Sequence, residues 1–351
     1  MKLAIFTLFI VVSSAFAAQL PAKTLGMYLL LADDTVAGYT STDNWQPALN
    51  DYQVTGANVL FFTFIHPGTM KVPPAFVNFA KQRGTRANGA IPADTKIIFA
   101  IGGYSYSMSP NPWSWLTSPE AATAMAKEVA TWPAKYGCDG IDLDIESGAG
   151  DAPNVGPNLI TFIKVLKQTN PSMIVSQPVF GYPQVAAENY VVNYSWDVNS
   201  KKLGLADSIG LMVYEGTQAL QYVKNYAQGT QQWQGFPITV NVATSDIILG
   251  AGGQASSSDI LALARAVKSQ NLGGIMVWYA SVIDTKTGKP AFQYNGGSND
   301  ASAQATTSVW AQAIAMMKGD SKKSIRIKSK NLTKKTPSFK ISKNGKSAST
   351  D

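Results

Sequence analysis

The sequence predicts an α/β fold in which eight parallel strands close into one (β/α)8 barrel, and three observations predict it. Short apolar runs recur eight times between residues 25 and 279, with helical patterns between several of them. Most runs are apolar at consecutive positions, as strands covered by helices require. The chain has 351 residues, 45% of them hydrophobic, and a barrel of about 250 residues fits that length. The only cysteine is Cys138, so no intramolecular disulfide forms and the core must hold the fold by itself.

The N-terminus, Met1-Lys2-Leu3 followed by the apolar run Ala4 to Val12 and Ala15-Phe16-Ala17, reads as a secretory signal peptide over 1–17. The barrel then takes 18–317. Leu25 to Leu31 is the first strand, and Asn58 to Ile65 the second, stopped by His66-Pro67-Gly68. Lys96 to Ile101 is the third, ending at Gly102-Gly103, where paired glycines let the backbone turn tightly or admit a ligand closely. Pro119 opens a helix on which Ala122, Met125, Ala126, Val129 and Trp132 recur at helical spacing, with Pro133 as its stop. Gly140 to Glu146 is strand four. A helix with Leu159, Phe162, Ile163 and Leu166 leads to strand five, Met173 to Val179, which contains Gln177. Ser208 to Glu215, Phe236 to Thr244 and Gly273 to Tyr279 read as strands six, seven and eight, with helices around 219–228 and 258–269 between them and a closing helix over 302–317.

Strand four carries the chemistry. Period-two alternation sends Asp142, Asp144 and Glu146 to one face and Ile141, Leu143 and Ile145 to the other. Three acids on one strand face repel one another and raise each other's pKa values, which a merely structural strand has no reason to accept. Asp139 falls outside that face and reads as part of the frame. Tyr214 shares the inward parity of Met212, and Trp278 that of Met276. Tyr28 and Gln177 lie near strand ends, with their facing open. Trp113 and Trp115 suit an aromatic stacking platform or a satellite hydrophobic cluster equally.

These residues resemble a known family. Asp139-Gly-Ile-Asp142-Leu-Asp144-Ile-Glu146 is similar to the DxxDxDxE signature of the family 18 glycoside hydrolases, the chitinase family, in all four acids. Ala100-Ile-Gly-Gly103 is similar to that family's SxGG, and Met212-Val-Tyr214-Glu215 to its MxYD. Two departures stand out: Ala100 replaces the Ser whose hydroxyl in relatives helps hydrogen-bond the buried Asp, here Asp142, and Glu215 replaces an Asp. The resemblance implies a TIM barrel and a retaining, substrate-assisted hydrolysis of β-1,4-linked N-acetylglucosamine polymers. In that scheme Glu146 is the general acid and base, Asp144 the acetamide clamp, Asp142 the proton-sharing partner and Tyr214 a further acetamide contact. Trp278, Tyr28, Gln177, Glu215 and Gly103 are candidate substrate contacts. Chitin is the expected partner, and the scheme needs no metal or cofactor. An endo-β-N-acetylglucosaminidase shares the motif, and a non-hydrolytic chitin-binding lectin or matrix protein is the reading from another class.

Charge, length and spacing bound the rest. From Lys318 to Asp351 eleven Lys or Arg stand against two Asp, a net of +9, while the whole chain carries +7. The basic character therefore belongs to a tail, 318–351, whose composition reads as disordered and suited to an acidic extracellular matrix. Nothing resembles a nucleic-acid module. No later run approaches the roughly 20 apolar residues of a membrane span, so the mature chain reads as secreted. His66, the only histidine, supports neither a triad nor a metal cluster. About 27 residues separate strands seven and eight, too few for an inserted α+β domain. The expected groove is therefore shallow and endo-acting.

Overall fold

The structure is a computed structural model that describes residues 19–31, 45–47, 56–85, 91–107, 113–146, 154–181, 189, 191–193, 196–197, 202–203, 205–214, 216–229, 237–252, 255–280, 282–284, 309 and 312–319. The segment read as a signal peptide, and the basic tail beyond Gly319, lie outside the described residues.

Eight parallel strands form a closed barrel: β1 (Thr24–Leu30), β2 (Val59–Ile65), β3 (Lys96–Gly102), β4 (Gly140–Asp144), β5 (Ile174–Val179), β6 (Ser208–Leu211), β7 (Ile247–Gly252) and β8 (Gly274–Ala280). They follow one another round the barrel in chain order, and β8 closes on β1. Helices α1 (Pro74–Ala80), α2 (Pro119–Val129), α3 (Trp132–Tyr136), α4 (Val155–Thr169), α5 (Ala219–Gln228) and α6 (Ser257–Ser269) lie along the sequence between them. A short antiparallel ribbon, Trp45–Pro47 with Val282–Asp284, ties the segment after β1 to the one after β8. Among the described residues no helix is long and apolar enough to cross a membrane.

Strand alternation sorts the apolar residues into two cores. Outward positions such as Ile97, Phe99, Ile141, Leu143, Val175 and Val179 pack with Trp132, Leu159, Phe162 and Ile163 of the helices. Inward positions fill the barrel in layers, with Val59, Ile98, Ile174, Ile248 and Met276 in one cluster and Leu30, Phe64 and Ala100 in another.

The seventh strand differs from expectation. The β-branched run 236–244 reads as a strand, yet the barrel uses Ile247–Gly252. Ile238, Val240 and Val242 are instead buried in the outer core. The glycines of β7 look like breakers in sequence, but Gly250 is a packing requirement: a Cβ there would lie 2.1 Å from the Leu211 carbonyl oxygen. Pro133 likewise stops no helix and instead occupies the first turn of α3. β4 and β6 end early, at Asp144 and Leu211, so Glu146 and Tyr214 stand just past the strands. Between Gly252 and Gly274 there is room for α6 and for no further domain. Of the expected closing helix, residue 309 and residues 312–317 are described, and these are helical.

Candidate active site

The C-terminal end of β4 is set by its neighbours. Asp142 pairs in register with Ala100 of β3 and Ser176 of β5, while Gly102 stands beside Asp144. Asp142 is buried in the barrel interior and accepts two hydrogen bonds, one on each carboxylate oxygen. The Tyr28 hydroxyl lies 3.0 Å from Oδ2 and the Ser176 hydroxyl 2.5 Å from Oδ1. Burial pushes the Asp142 pKa up to about 6, although both hydroxyls pull it down by favouring the anion. Tyr28 is itself held by Phe61, whose ring stacks on it at 4.3 Å.

One residue-pair further along, the backbone of Asp144 is fixed by the two glycines that end β3. The Gly103 amide donates to the Asp144 carbonyl at 2.9 Å, and a Cβ on Gly102 would lie 1.9 Å from that same oxygen. Both glycines have positive φ, 108° and 92°, a conformation that L residues with side chains rarely adopt. A Cβ on Gly103 would also meet the Phe64 ring at 2.9 Å. Gly103 thus serves this wall of the site through its backbone. Asp144 is buried, and Glu146 is half-buried at the mouth. Burial raises the Glu146 pKa to about 7, against the backbone N–H of Tyr104, which hydrogen-bonds its carboxylate.

Tyr214 and Trp278 complete the mouth. Tyr214 packs over β7, where a Cβ on Gly250 would reach its Cε1 at 3.2 Å. Its hydroxyl pKa is raised well above the ordinary value, first by burial and then by the charges of Asp144, Glu146 and Asp142. Trp278 is half-buried, with its ring 5.6 Å from both the Tyr28 and the Phe64 rings. The structure therefore gathers Asp142, Asp144, Glu146, Tyr28, Tyr214, Trp278 and Gly103 at one end of the barrel.

Other candidates lie elsewhere. Gln177 is fully buried at the parity of Val175 and Val179, which turns it toward the helices, away from the barrel interior where its neighbour Ser176 points. Its amide finds no partner among the described residues. Glu215 lies outside the described residues. Trp113 and Trp115 form no platform: both are buried, and the Trp115 indole N–H is 3.0 Å from the Pro67 carbonyl oxygen. Trp115 also packs on Phe162 of α4. Ser176 is the site residue that the sequence alone did not single out. Its only signal was a small polar residue inside an apolar strand. Among the described residues no cluster of His, Cys, Asp and Glu is suited to a metal ion.

Comparison with known proteins agrees with this geometry. The family profile described as glycosyl hydrolases family 18 matches residues 35–258. The catalytic domain of a hyperthermophilic chitinase from Pyrococcus furiosus superimposes with a TM-score of 0.56 at 15% identity, covering 86% of this chain and 98% of that one. The C-terminal domain of a Legionella pneumophila protein gives 0.54 at 14% identity, covering 85% and 99%. A chitinase from Rhizomucor miehei gives 0.52 at 13% identity, covering 73% and 94%. At such identities the likeness speaks for the fold. No curated protein sequence matches the chain.

Proposed function

The chain belongs to the family 18 glycosyl hydrolases, as the match over residues 35–258 shows, and from that premise we propose that it hydrolyses β-1,4-linked N-acetylglucosamine polymers with retention. The observation that carries the reading is the placement of Glu146, half-buried at the barrel mouth with its pKa raised to about 7, in one cluster with Asp144, Asp142 and Tyr214. A carboxyl titrating there is about half protonated at pH 7 and mostly protonated below it, and so can donate.

The reaction follows from that arrangement. Glu146 gives its proton to the glycosidic oxygen as the bond from C1 to that oxygen breaks. The substrate's own acetamido oxygen attacks C1 and forms an oxazolinium ion. Asp144 accepts from the acetamide N–H and stabilises the positive ring. Asp142, next inward on the same strand face, takes part in holding the proton that two neighbouring buried carboxylates share. The Tyr214 hydroxyl donates to the acetamide oxygen, and the Trp278 indole lies under the apolar face of the sugar. Water then attacks C1 as the bond from C1 to the acetamido oxygen breaks, gives its proton to Glu146, and restores both the acetamide and the acid. With no domain inserted after β7, the groove is shallow and the cutting endo-type. Residues 1–17 direct export, and the tail, net +9 from Lys318 onward, attracts the enzyme to acidic extracellular surfaces.

Hydrolysis of a chitin hexamer by the protein and by Glu146→Gln tests the reading. Turnover that disappears on substitution supports it. Oligomer binding without turnover by the unmodified protein would make the chain a lectin, and cleavage of a high-mannose glycoprotein but not of the hexamer would move the substrate to N-glycans.

A further inference from the structure

Asp142 has two in-register neighbours, Ala100 on β3 and Ser176 on β5. The positions are equivalent: each sits beside Asp142 on an adjacent parallel strand with the same inward parity, and both are buried. One carries a methyl group and the other a hydroxyl. From this geometry we propose that Ser176 is a positioning residue for the reaction, and that its hydroxyl, together with that of Tyr28, fixes the plane of the Asp142 carboxylate.

The argument rests on where the two donors lie. The terminal torsion of an Asp side chain is soft and roughly two-fold, so a carboxylate held through one oxygen still rotates. Tyr28 reaches Oδ2 and Ser176 reaches Oδ1, so the torsion is held from both ends. The Ser176 contact, at 2.5 Å, is in the range of hydroxyl bonds to an ionised oxygen. Ala100, on the other flank, has no group to offer. Ser176 is 3% exposed, so bulk water cannot take over its donor. Removing the hydroxyl leaves Oδ1 buried without that bond, frees the carboxylate to turn and favours its protonated form. The orientation in which Asp142 meets Asp144 is then no longer fixed. The catalytic part of this proposal rests on the function proposed above, whereas the hydrogen bond does not.

The test moves the hydroxyl from one flank to the other. Ser176→Ala, Ala100→Ser and the double variant are compared with the unmodified protein in chitin-hexamer hydrolysis across pH. In parallel, ¹³C NMR titrates the carboxyl of Asp142, assigned by its loss in Asp142→Asn. Ser176→Ala is expected to lower kcat about tenfold with KM little changed, as loss of one charge-assisted hydrogen bond implies. It should also raise the pH at which Asp142 titrates and move the acid limb of the rate profile with it. The double variant should recover most of both changes, which a merely structural loss would not allow. Ser176→Ala equal to the unmodified protein in kcat and in the Asp142 titration overturns the proposal, and so does a double variant no better than Ser176→Ala. An unmodified protein that does not cleave the hexamer overturns the proposed function instead, and the titration still decides whether the Ser176 hydroxyl holds Asp142.

Discussion

The two ends of β4 hold aspartates in opposite ways. At its N-terminal end Asp139 is paired with the Arg83 guanidinium and accepts the Ile97 backbone N–H at 2.8 Å. Arg83 also donates to the Gly137 carbonyl at 2.8 Å and the Thr95 carbonyl at 3.3 Å, so that one cation ties three segments to the strand. Three residues on, Asp142 is held by two neutral hydroxyls, with its pKa raised to about 6 by burial. A carboxylate tied by a guanidinium and a backbone N–H holds neighbouring segments together and serves the frame. A carboxylate held in a low-dielectric interior by neutral donors keeps a proton within reach at neutral pH, which is what proton transfer needs. On the function proposed above, one short strand thus carries a structural acid and a chemical acid, and the partners, not the residue type, decide which is which.

Substitutions at the two ends should separate along that line. Glu146→Gln removes the donor but not the shape, and turnover of chitin oligomers is expected to fall about 10³-fold or more while the fold persists. Circular dichroism beside the rate measurement separates the two, and a variant retaining a tenth of the activity would rule out Glu146 as the acid. Asp139→Ala should do the reverse. It leaves Arg83 without its anion in a half-buried place, at a cost of about 2–3 kcal/mol in stability, while kcat per folded molecule stays close to that of the unmodified protein. Urea unfolding measures the first and active-site-normalised kinetics the second. A large loss of kcat in Asp139→Ala at full stability would erase the distinction between the two ends.

The pH dependence sharpens the same contrast. The Glu146 pKa is raised by burial to about 7, so if Glu146 is the proton donor, as proposed, the donor is present below that value and lost above it. The rate at low substrate should therefore fall about tenfold per pH unit well above pH 7. A rate that stays level to pH 9 would require another donor.

The division between legible and illegible features follows the range of the interactions. The inward settings of Asp142, Asp144 and Trp278 follow from period-two alternation, a local property that reads straight from the residues, whereas Glu146 and Tyr214 stand just past their strands. The barrel follows from the recurrence of apolar runs. What failed needed partners distant in sequence. Gln177 is the larger polar group on β5 and suggests a ligand contact, yet strand parity places its neighbour Ser176 on the inside, and only the register between β4 and β5 sets that hydroxyl against Asp142. β7 does not read as a strand from its own residues because Gly250 is required by the Leu211 carbonyl and the Tyr214 ring, neither of which is a neighbour in the chain.

The smallest expected effect concerns stability, and its sign follows from the raised acids. Asp142 and Asp246 are raised from 3.8 to about 6, and Glu146 from 4.5 to about 7, in each case first by burial. Each binds its proton more tightly in the fold than in the unfolded chain, so folding takes up protons across this range. Their contribution is fully present below about pH 4 and is lost as pH rises through about 6 for the aspartates and about 7 for Glu146. Glu146→Gln removes the last of these losses, because an amide has no charge to bury. The variant should melt close to the unmodified protein at pH 5 and a few degrees above it at pH 8, so that the most damaging substitution for turnover stabilises the fold. Thermal melts of both proteins at the two pH values decide it: an equal gap at pH 5 and pH 8 would mean that the Glu146 charge is not strained by burial, and the chemical end of β4 would then resemble the structural one.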